Sequence, residues 1–226
     1  MIFIALFFFE LTLLFIMARS LQRRLSSFLF SIFHRETHTI KLMAIIFFPG
    51  TVLHEFAHAG MARLLMVPVG SISLTPKIEG TSVRLGSVAI AKTDIIRRLL
   101  IGVAPFIAGN GIILGLLYVA QKYTLWTNSL FVGISLFILF QVCNTMFSSK
   151  RDLQGAFSFL LLLSMLSSIF YFVGFRVSTK QLIGLIPETV FSAFQIGSYY
   201  LFIPLGIDIA VIIFIAVLQK IFSIER

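Results

Sequence analysis

The chain has 226 residues, of which 58% are hydrophobic and only 12% are charged, and its formal net charge is +9. Soluble globular domains carry roughly 25% charged residues, so this composition is typical of a polytopic membrane protein. Cys143 is the single cysteine, which excludes an internal disulfide and a cysteine-based metal cluster. The basic residues lie mostly between apolar segments and form no nucleic-acid-binding motif. We therefore expect contacts with anionic lipid headgroups and no nucleic-acid partner.

Six apolar segments predict an all-α polytopic membrane protein with six transmembrane helices in a single domain, residues 1–226. Residues 19–33 differ from these segments, because Arg19, Arg23 and Arg24 lie off an apolar stripe of helical spacing. That pattern predicts a separate amphipathic helix on the membrane surface. The predicted spans cover residues 2–18, 41–66, 99–120, 129–147, 153–175 and 197–219.

Apart from Glu55, two acidic residues fall inside the predicted spans, Glu10 in the first and Asp208 in the last. A charged side chain at the centre of a bilayer costs about 2.5–3.5 kcal/mol, so such residues usually have a partner inside the protein. We expect a neighbouring helix to hold Glu10, and we expect Asp208 to be paired or exposed to water.

Residues 69–91 change from helical to alternating periodicity. Apolar residues alternate with polar ones on both sides of Glu79-Gly80, and the alternation slips by one residue at Gly86-Ser87. This pattern predicts a small β-hairpin with a glycine bulge after the second span. Because open strand edges cannot face lipid, the hairpin should be re-entrant within the protein or lie at the membrane surface.

The second predicted span contains the motif His54-Glu55-Phe56-Ala57-His58. Residues four apart lie one turn apart on the same helix face, so both imidazoles can reach one metal ion, and this HExxH pattern suits Zn²⁺. Glu55 is placed to act as general base toward a water molecule there. Pro49-Gly50 is expected to bend the helix just before the histidines. A second pair, His34 and His38, lies in a polar linker, and a solvated turn is the favoured interpretation for it.

A catalytic zinc site usually has a third protein ligand. Asp152 is a candidate because it follows the fourth span, eight residues after Asn144. With the HExxH motif and the β-rich segment, this spacing resembles the site-2 protease family of intramembrane zinc metalloproteases. The likeness covers residues 41–155 and includes Gly102, Pro105 and Asn110 on the next helix. The family's Asn–Pro–Pro–Asp–Gly pattern is altered here, because Phe147 and Lys150 replace its prolines and Leu153 replaces its glycine.

The resemblance implies a zinc endopeptidase that cuts membrane-anchored protein substrates in or near the bilayer. It implies one Zn²⁺ per chain, bound by His54, His58 and Asp152, with Glu55 as the catalytic base. Asn144 is expected to bind the substrate backbone or the oxyanion, and an edge strand of the 69–91 hairpin is expected to pair with extended substrate. It also implies an integral multi-pass protein of a prokaryotic cell membrane.

Three alternatives stay open on the sequence alone. They are a non-catalytic metal-binding membrane protein, a metal or ion transporter, and a membrane metalloprotease of another class that uses Glu188 as its third ligand. The orientation of the chain in the membrane is also open. Six spans would place eight of the 18 Lys and Arg residues on one side of the membrane and ten on the other, which favours neither orientation. The resemblance favours an active site that opens to the cytosol.

Overall fold

A computed structural model describes residues 2–79, 82–147, 152, 161, 164–166, 168–169, 172 and 188–221. The described part is mainly helical, with two short two-stranded antiparallel ladders between the third and fourth helices. The helices are α1 (Ile2–Phe33), α2 (Glu36–Ile46), α3 (Phe48–Leu64), α4 (Ile95–Lys122), α5 (Ser129–Thr145) and α6 (Glu188–Ile221), with a 3₁₀ turn at Leu125–Thr127. The strands are β1 (Val69–Ser73), β2 (Lys77–Glu79), β3 (Ser82–Arg84) and β4 (Ser87–Ile90).

The chain is a membrane protein, because α1, α4 and residues 194–221 of α6 are long and apolar enough to cross a bilayer. The bent pair α2–α3 adds a fourth candidate if it forms one span. The predicted count of six spans is not supported among the described residues. At 1.5 Å per residue, the 17 residues of α5 reach only about 26 Å, less than the roughly 30 Å hydrocarbon core. The predicted span at 153–175 lies largely outside the described residues.

Helix α1 is one continuous helix of 32 residues, so the prediction of a separate surface helix at 19–33 was wrong. No glycine or proline interrupts residues 2–33, and nothing in the sequence therefore breaks the hydrogen-bond ladder. The helix ends at Phe33, where His34 adopts a left-handed conformation with φ of 52°. His34 and Arg35, the two residues between α1 and α2, are exposed, and so is His38 in the first turn of α2.

The helix carrying the HExxH motif is bent by 70° relative to α2, with the break at Phe47. Pro49 causes the break, because it has no N–H and its ring conflicts with the carbonyl of residue 45. The bend that Pro49-Gly50 predicted is therefore present. Gly50 faces α5 closely, since a Cβ there would lie 2.7 Å from the backbone oxygen of Gln141 and 2.5 Å from Thr145 Oγ1.

The hairpin occupies the predicted segment, with β1 paired to β4 and β2 paired to β3. One register shift lies in β1, between Val69 and Ile72. The pairing shifts by one residue again between Ser73–Ser87 and Lys77–Arg84, next to the predicted slip at Gly86-Ser87. Gly86 separates the two ladders and packs on α3, where a Cβ would lie 2.8 Å from Thr51 and 2.9 Å from Glu55. Position 86 therefore needs a glycine because α3 is close, and the alternation of polar and apolar residues does not predict this requirement.

Side chains from α1, α4, α5 and α6, with Met146 just beyond α5, form the main apolar core. A smaller cluster joins α3, α4 and the loop before β1 through Ala62, Val67 and Ile101, and it anchors the hairpin beside the HExxH helix. The main core contains Leu11, Leu14, Ile113, Leu117, Leu139, Val142, Cys143, Met146, Leu201 and Leu205.

Hydrogen bonds between helices hold the buried carboxylates of Glu10 and Asp208. Ser198 Oγ donates to Glu10 Oε2 at 2.6 Å, which links α1 to α6 as expected for Glu10. Asn144 Nδ2 donates to Asp208 Oδ1 at 2.8 Å, which links α5 to α6. Both carboxylates are fully buried, so these contacts connect the helices around the apolar core.

Helix α4 begins with a capping residue just outside its apolar segment. The Asp94 carboxylate accepts a hydrogen bond from the Arg97 backbone N–H at 2.9 Å. It also forms an ion pair with Nε of the Arg97 side chain at 3.3 Å. The backbone hydrogen bond, assisted by the nearby guanidinium, lowers the pKa of Asp94 below its usual value. This cap fixes the start of the helix that contributes Ile101 and Gly102 to the site.

Candidate metal centre

The two histidines of the motif point their ring nitrogens at a common position. His54 and His58 lie one turn apart on α3, and their Nε2 atoms are 3.2 Å apart. The rings are nearly perpendicular, with an interplanar angle of 81°, so both lone pairs can meet at one point. His58 is buried and His54 is only partly exposed.

Two backbone carbonyls from other helices orient these rings. His54 Nδ1 lies 2.6 Å from the carbonyl oxygen of Thr145 on α5, and His58 Nδ1 lies 2.7 Å from that of Ile101 on α4. Because a carbonyl oxygen only accepts, we assign the ring hydrogens to Nδ1. Each neutral ring then has a bare Nε2, and two lone pairs 3.2 Å apart repel unless a cation or a shared proton lies between them.

Asp152 supplies a carboxylate to the same point. Its Oδ2 lies 3.8 Å from His54 Nε2, and its Oδ1 lies 3.6 Å from His58 Nε2. One ligand atom from each of these three residues falls within 4.8 Å of the others, so the group could hold a metal ion. The sequence-predicted set of two histidines and one aspartate is therefore brought together, from two regions of the chain nearly 100 residues apart.

Glu55 lies next to this group in a cleft of about 460 Å³. The cleft is lined by Glu55, His58 and Asp152, by β4 and the residues that follow it, and by the start of α4. Glu55 is buried, and Gly86 packs against its side chain. A carboxylate and a candidate metal centre therefore share one cleft with an edge of the hairpin.

Comparison with family models, with curated proteins and with solved structures found no match in any of the three.

Asn144 lies outside the cluster, with its side chain turned toward α6. Its Nδ2 donates to the Phe140 carbonyl oxygen at 2.9 Å as well as to Asp208. Both amide hydrogens are therefore used within the protein, and its predicted contact with substrate stays a prediction. Phe147, at a position where the site-2 protease pattern has a proline, packs against the rings of Phe15 and Phe106. Lys150 and Leu153, the other two departures, lie outside the described residues.

The other sequence candidates are not part of the cluster. Among the described residues, the group with metal-ligand spacing contains Asp152 and neither Glu188 nor the pair His34 and His38. Glu188 is the exposed first residue of α6. The geometry therefore favours Asp152 over Glu188 as the third ligand.

Sequence reasoning missed the residues that support the ligands. Thr145 and Ile101 act through backbone carbonyls, which carry no residue-type signal. Gln141 had a weak signal, a glutamine in the apolar run FILFQVCN, three residues before Asn144. Gly102 was noted only as part of a family-like stretch, yet a Cβ there would overlap the carbonyl oxygen of Asp152.

Gly102→Ala should weaken metal binding without changing a ligand. The added methyl group meets the backbone of Asp152, which cannot rotate away as a flexible side chain could, so the carboxylate must shift. Because displaced supporting contacts typically cost 10–100-fold in metal affinity, we expect a loss of about that size in zinc titrations. Gly111→Ala on the same helix is the matched control, since a Cβ there meets nothing within 4 Å. Equal zinc affinity in both variants would contradict the placement of Asp152.

Proposed function

We propose that this chain is an intramembrane zinc metalloprotease that hydrolyses peptide bonds of membrane-anchored protein substrates in or near the bilayer. The observation that carries the proposal is that His54, His58 and Asp152 form one group, and that His58 and Asp152 of this group line the same cleft as Glu55. A buried carboxylate beside a three-ligand site is the arrangement that metal-assisted hydrolysis requires. The resemblance to the site-2 protease family supports the same function, and a multi-pass location in a prokaryotic cell membrane is part of the proposal.

The ligand geometry supports zinc. For Zn–N and Zn–O bonds of about 2.0–2.2 Å in a tetrahedral site, the ligand atoms should be separated by about 3.3–3.6 Å. The two Nε2 atoms are 3.2 Å apart, and those of His58 and His54 lie 3.6 and 3.8 Å from Oδ1 and Oδ2 of Asp152, respectively, so these separations are near that range. Among the described residues the group contains three candidate ligands, the number typical of catalytic zinc sites, whereas structural sites have four. The carbonyl oxygens of Thr145 and Ile101 are the outer contacts that fix ligand histidines.

In this proposal zinc and Glu55 have different functions in the hydrolysis of the peptide bond. When bound, zinc supplies Lewis acidity that polarises the scissile carbonyl and lowers the pKa of water. Glu55 accepts the proton of the attacking water and then donates it to the leaving amine. Its burial in the cleft beside Gly86 keeps the carboxylate in a fixed position for both transfers.

The hairpin offers a place for the substrate. Strand β4 pairs with β1 on one side, and in the described part of the chain no strand pairs with its other side. Val88, Ala89 and Ile90 of β4 line the cleft. An extended substrate segment could add to this edge by main-chain hydrogen bonds, and it would then pass the metal ligands with its carbonyl groups accessible. Peptide cleavage needs such a segment because a helix conceals its carbonyl groups.

A photo-crosslinking amino acid at Ala89 tests this docking mode. We expect it to capture a membrane-anchored reporter in reconstituted Glu55→Gln protein, while the protein with native Glu55 cleaves the same reporter. Ala89 is exposed and lines the cleft. Ser71, also exposed, lies on the paired strand β1 and is the control position, where capture should be much weaker. Capture only at Ser71, or at neither position, would refute substrate docking on β4.

The non-catalytic and transport alternatives make different demands on the buried acids. A transporter would use Glu10 and Asp208 as carriers along a path, whereas here each accepts a hydrogen bond from a neighbouring helix. In a metal-binding protein without catalytic activity, the buried carboxylate of Glu55 in the cleft would have no function. The proteolytic function accounts for Glu55, the cleft and the strand edge together.

A further inference from the structure

The bend between α2 and α3 contains an inserted side chain. In an unbroken helix the Gly50 N–H would donate to the carbonyl oxygen of Ile46. Here Gln141 Nε2 donates to the Ile46 oxygen at 2.8 Å, and the Gly50 N–H donates to Gln141 Oε1 at 3.4 Å. The carboxamide of Gln141 therefore takes the place of one hydrogen bond of the ladder and satisfies both groups that the break separates.

This insertion matters because the break lies in an apolar environment. An unsatisfied backbone group within a membrane costs several kcal/mol, so a broken span needs partners from the rest of the protein. Pro49 breaks the ladder, and Gln141 from α5 supplies the partners. Gln141 is itself buried, with 2% of its surface exposed, so solvent is not a ready substitute for its amide.

The same two helices also meet one turn further on, at the metal centre. Thr145 follows Gln141 by four residues on α5, and His54 follows Gly50 by four residues on α3. Gln141 contacts Gly50, and the Thr145 carbonyl oxygen contacts His54 Nδ1. Thr145 Oγ1 in turn donates to the Gln141 carbonyl oxygen at 2.8 Å. The contact of Gln141 thus sets the register that brings the Thr145 carbonyl to His54.

We propose that Gln141 is a positioning residue that fixes the bend of the α2–α3 span and thereby orients His54 for metal binding. Its effect on the bend is independent of the proposed function, whereas its effect on the metal rests on that proposal. A side chain of similar size without hydrogen-bonding groups should let the span straighten or sample several angles. His54 should then lose its fixed distance to the Thr145 carbonyl.

The test is a spin–spin distance between labels at Thr37 on α2 and Leu64 on α3, in a Cys143→Ala background. Both label positions are exposed. A straight helix between them would be about 40 Å long, and the 70° bend shortens this separation to about 34 Å. We expect Gln141→Met to lengthen or broaden the distance distribution and to lower zinc affinity by at least about tenfold.

Gln22→Met is the matched control. The Gln22 amide also donates to an α5 carbonyl, that of Asn144 at 2.7 Å, but it does not touch the bend. Gln22→Met should leave both the spin–spin distance and the zinc affinity near those of the unsubstituted protein. If Gln141→Met does not fold, Gln141→Asn, whose amide is one methylene shorter and cannot reach both groups, should change the distance in the same direction.

The outcomes separate this inference from the proposed function. An unchanged distance distribution in a folded Gln141 variant overturns the role of Gln141, whatever the metal does. A changed distribution with unchanged zinc affinity supports the role in the bend and overturns the link to His54. If the unsubstituted protein binds no zinc, the proposed function fails, and the distance measurement still decides the role of Gln141 in the bend.

Discussion

Glu55→Gln should retain zinc and the fold but lose cleavage of a membrane-anchored reporter, with a fall in kcat of about 10²–10⁴-fold, the range of general acid–base catalysis. The amide is nearly the same size as the carboxylate, so the packing of Gly86 against it is preserved. It cannot accept the proton of an attacking water. The expected loss corresponds to about 3–5 kcal/mol of transition-state stabilisation.

The control for this variant is Glu188→Gln. Glu188 is an exposed glutamate at the start of α6, and it is also the third ligand in the rival protease class. It should keep full activity and full zinc content. Full activity of Glu55→Gln would end the protease proposal, and loss of zinc in that variant would show that Glu55 acts as a ligand.

Asp152→Ala should lower zinc affinity by more than about 100-fold, because loss of a ligand exceeds the 10–100-fold cost of losing a supporting contact. Removal of the carboxylate also removes the negative charge that faces His54 and His58 at 3.8 and 3.6 Å. The measurement is zinc affinity by competition with a chelator of known affinity, on protein in detergent. Activity should fall in parallel with zinc content.

Two further variants decide between the candidate acids. Glu188→Ala and Asp208→Asn should bind zinc as the unsubstituted protein does, since neither residue belongs to the cluster among the described residues. Asp208→Asn keeps the buried shape beside Asn144. Wild-type affinity in Asp152→Ala, combined with a loss in either of the other two, would refute the ligand assignment and the family resemblance built on it.

The three residues of the candidate metal centre could be selected from the sequence because their signals depend on spacing along the chain. The spacing of His54 and His58 is a property of any helix, and Asp152 was selected by its spacing of eight residues from Asn144, as in the family that the sequence resembles. The hairpin was predictable from its alternation, but the register shift within β1 was not. The shift depends on how β1 and β4 pair, and the sequence does not state that pairing.

The parts of the fold that were not predicted depend on contacts between distant helices. A charged stripe suggested a separate surface helix at 19–33, yet nothing in that region interrupts the backbone ladder of α1. Pro49 predicted a bend but not the residue that satisfies it, because Gln141 lies 95 positions from Ile46 and only the packing of α5 brings it there. Asn144 was expected in the site by its spacing from Asp152, but its amide hydrogens serve Phe140 and Asp208.

The most direct measurement of the central claim is the zinc content and X-ray absorption spectrum of the purified chain. The account predicts about one zinc per chain, with two imidazole nitrogens at about 2.0–2.1 Å and an oxygen shell at about 2.0–2.2 Å. His54→Ala and His58→Ala should each lose the metal. A purified, folded chain that takes up no zinc, or one whose zinc is retained in both histidine variants, would contradict the account.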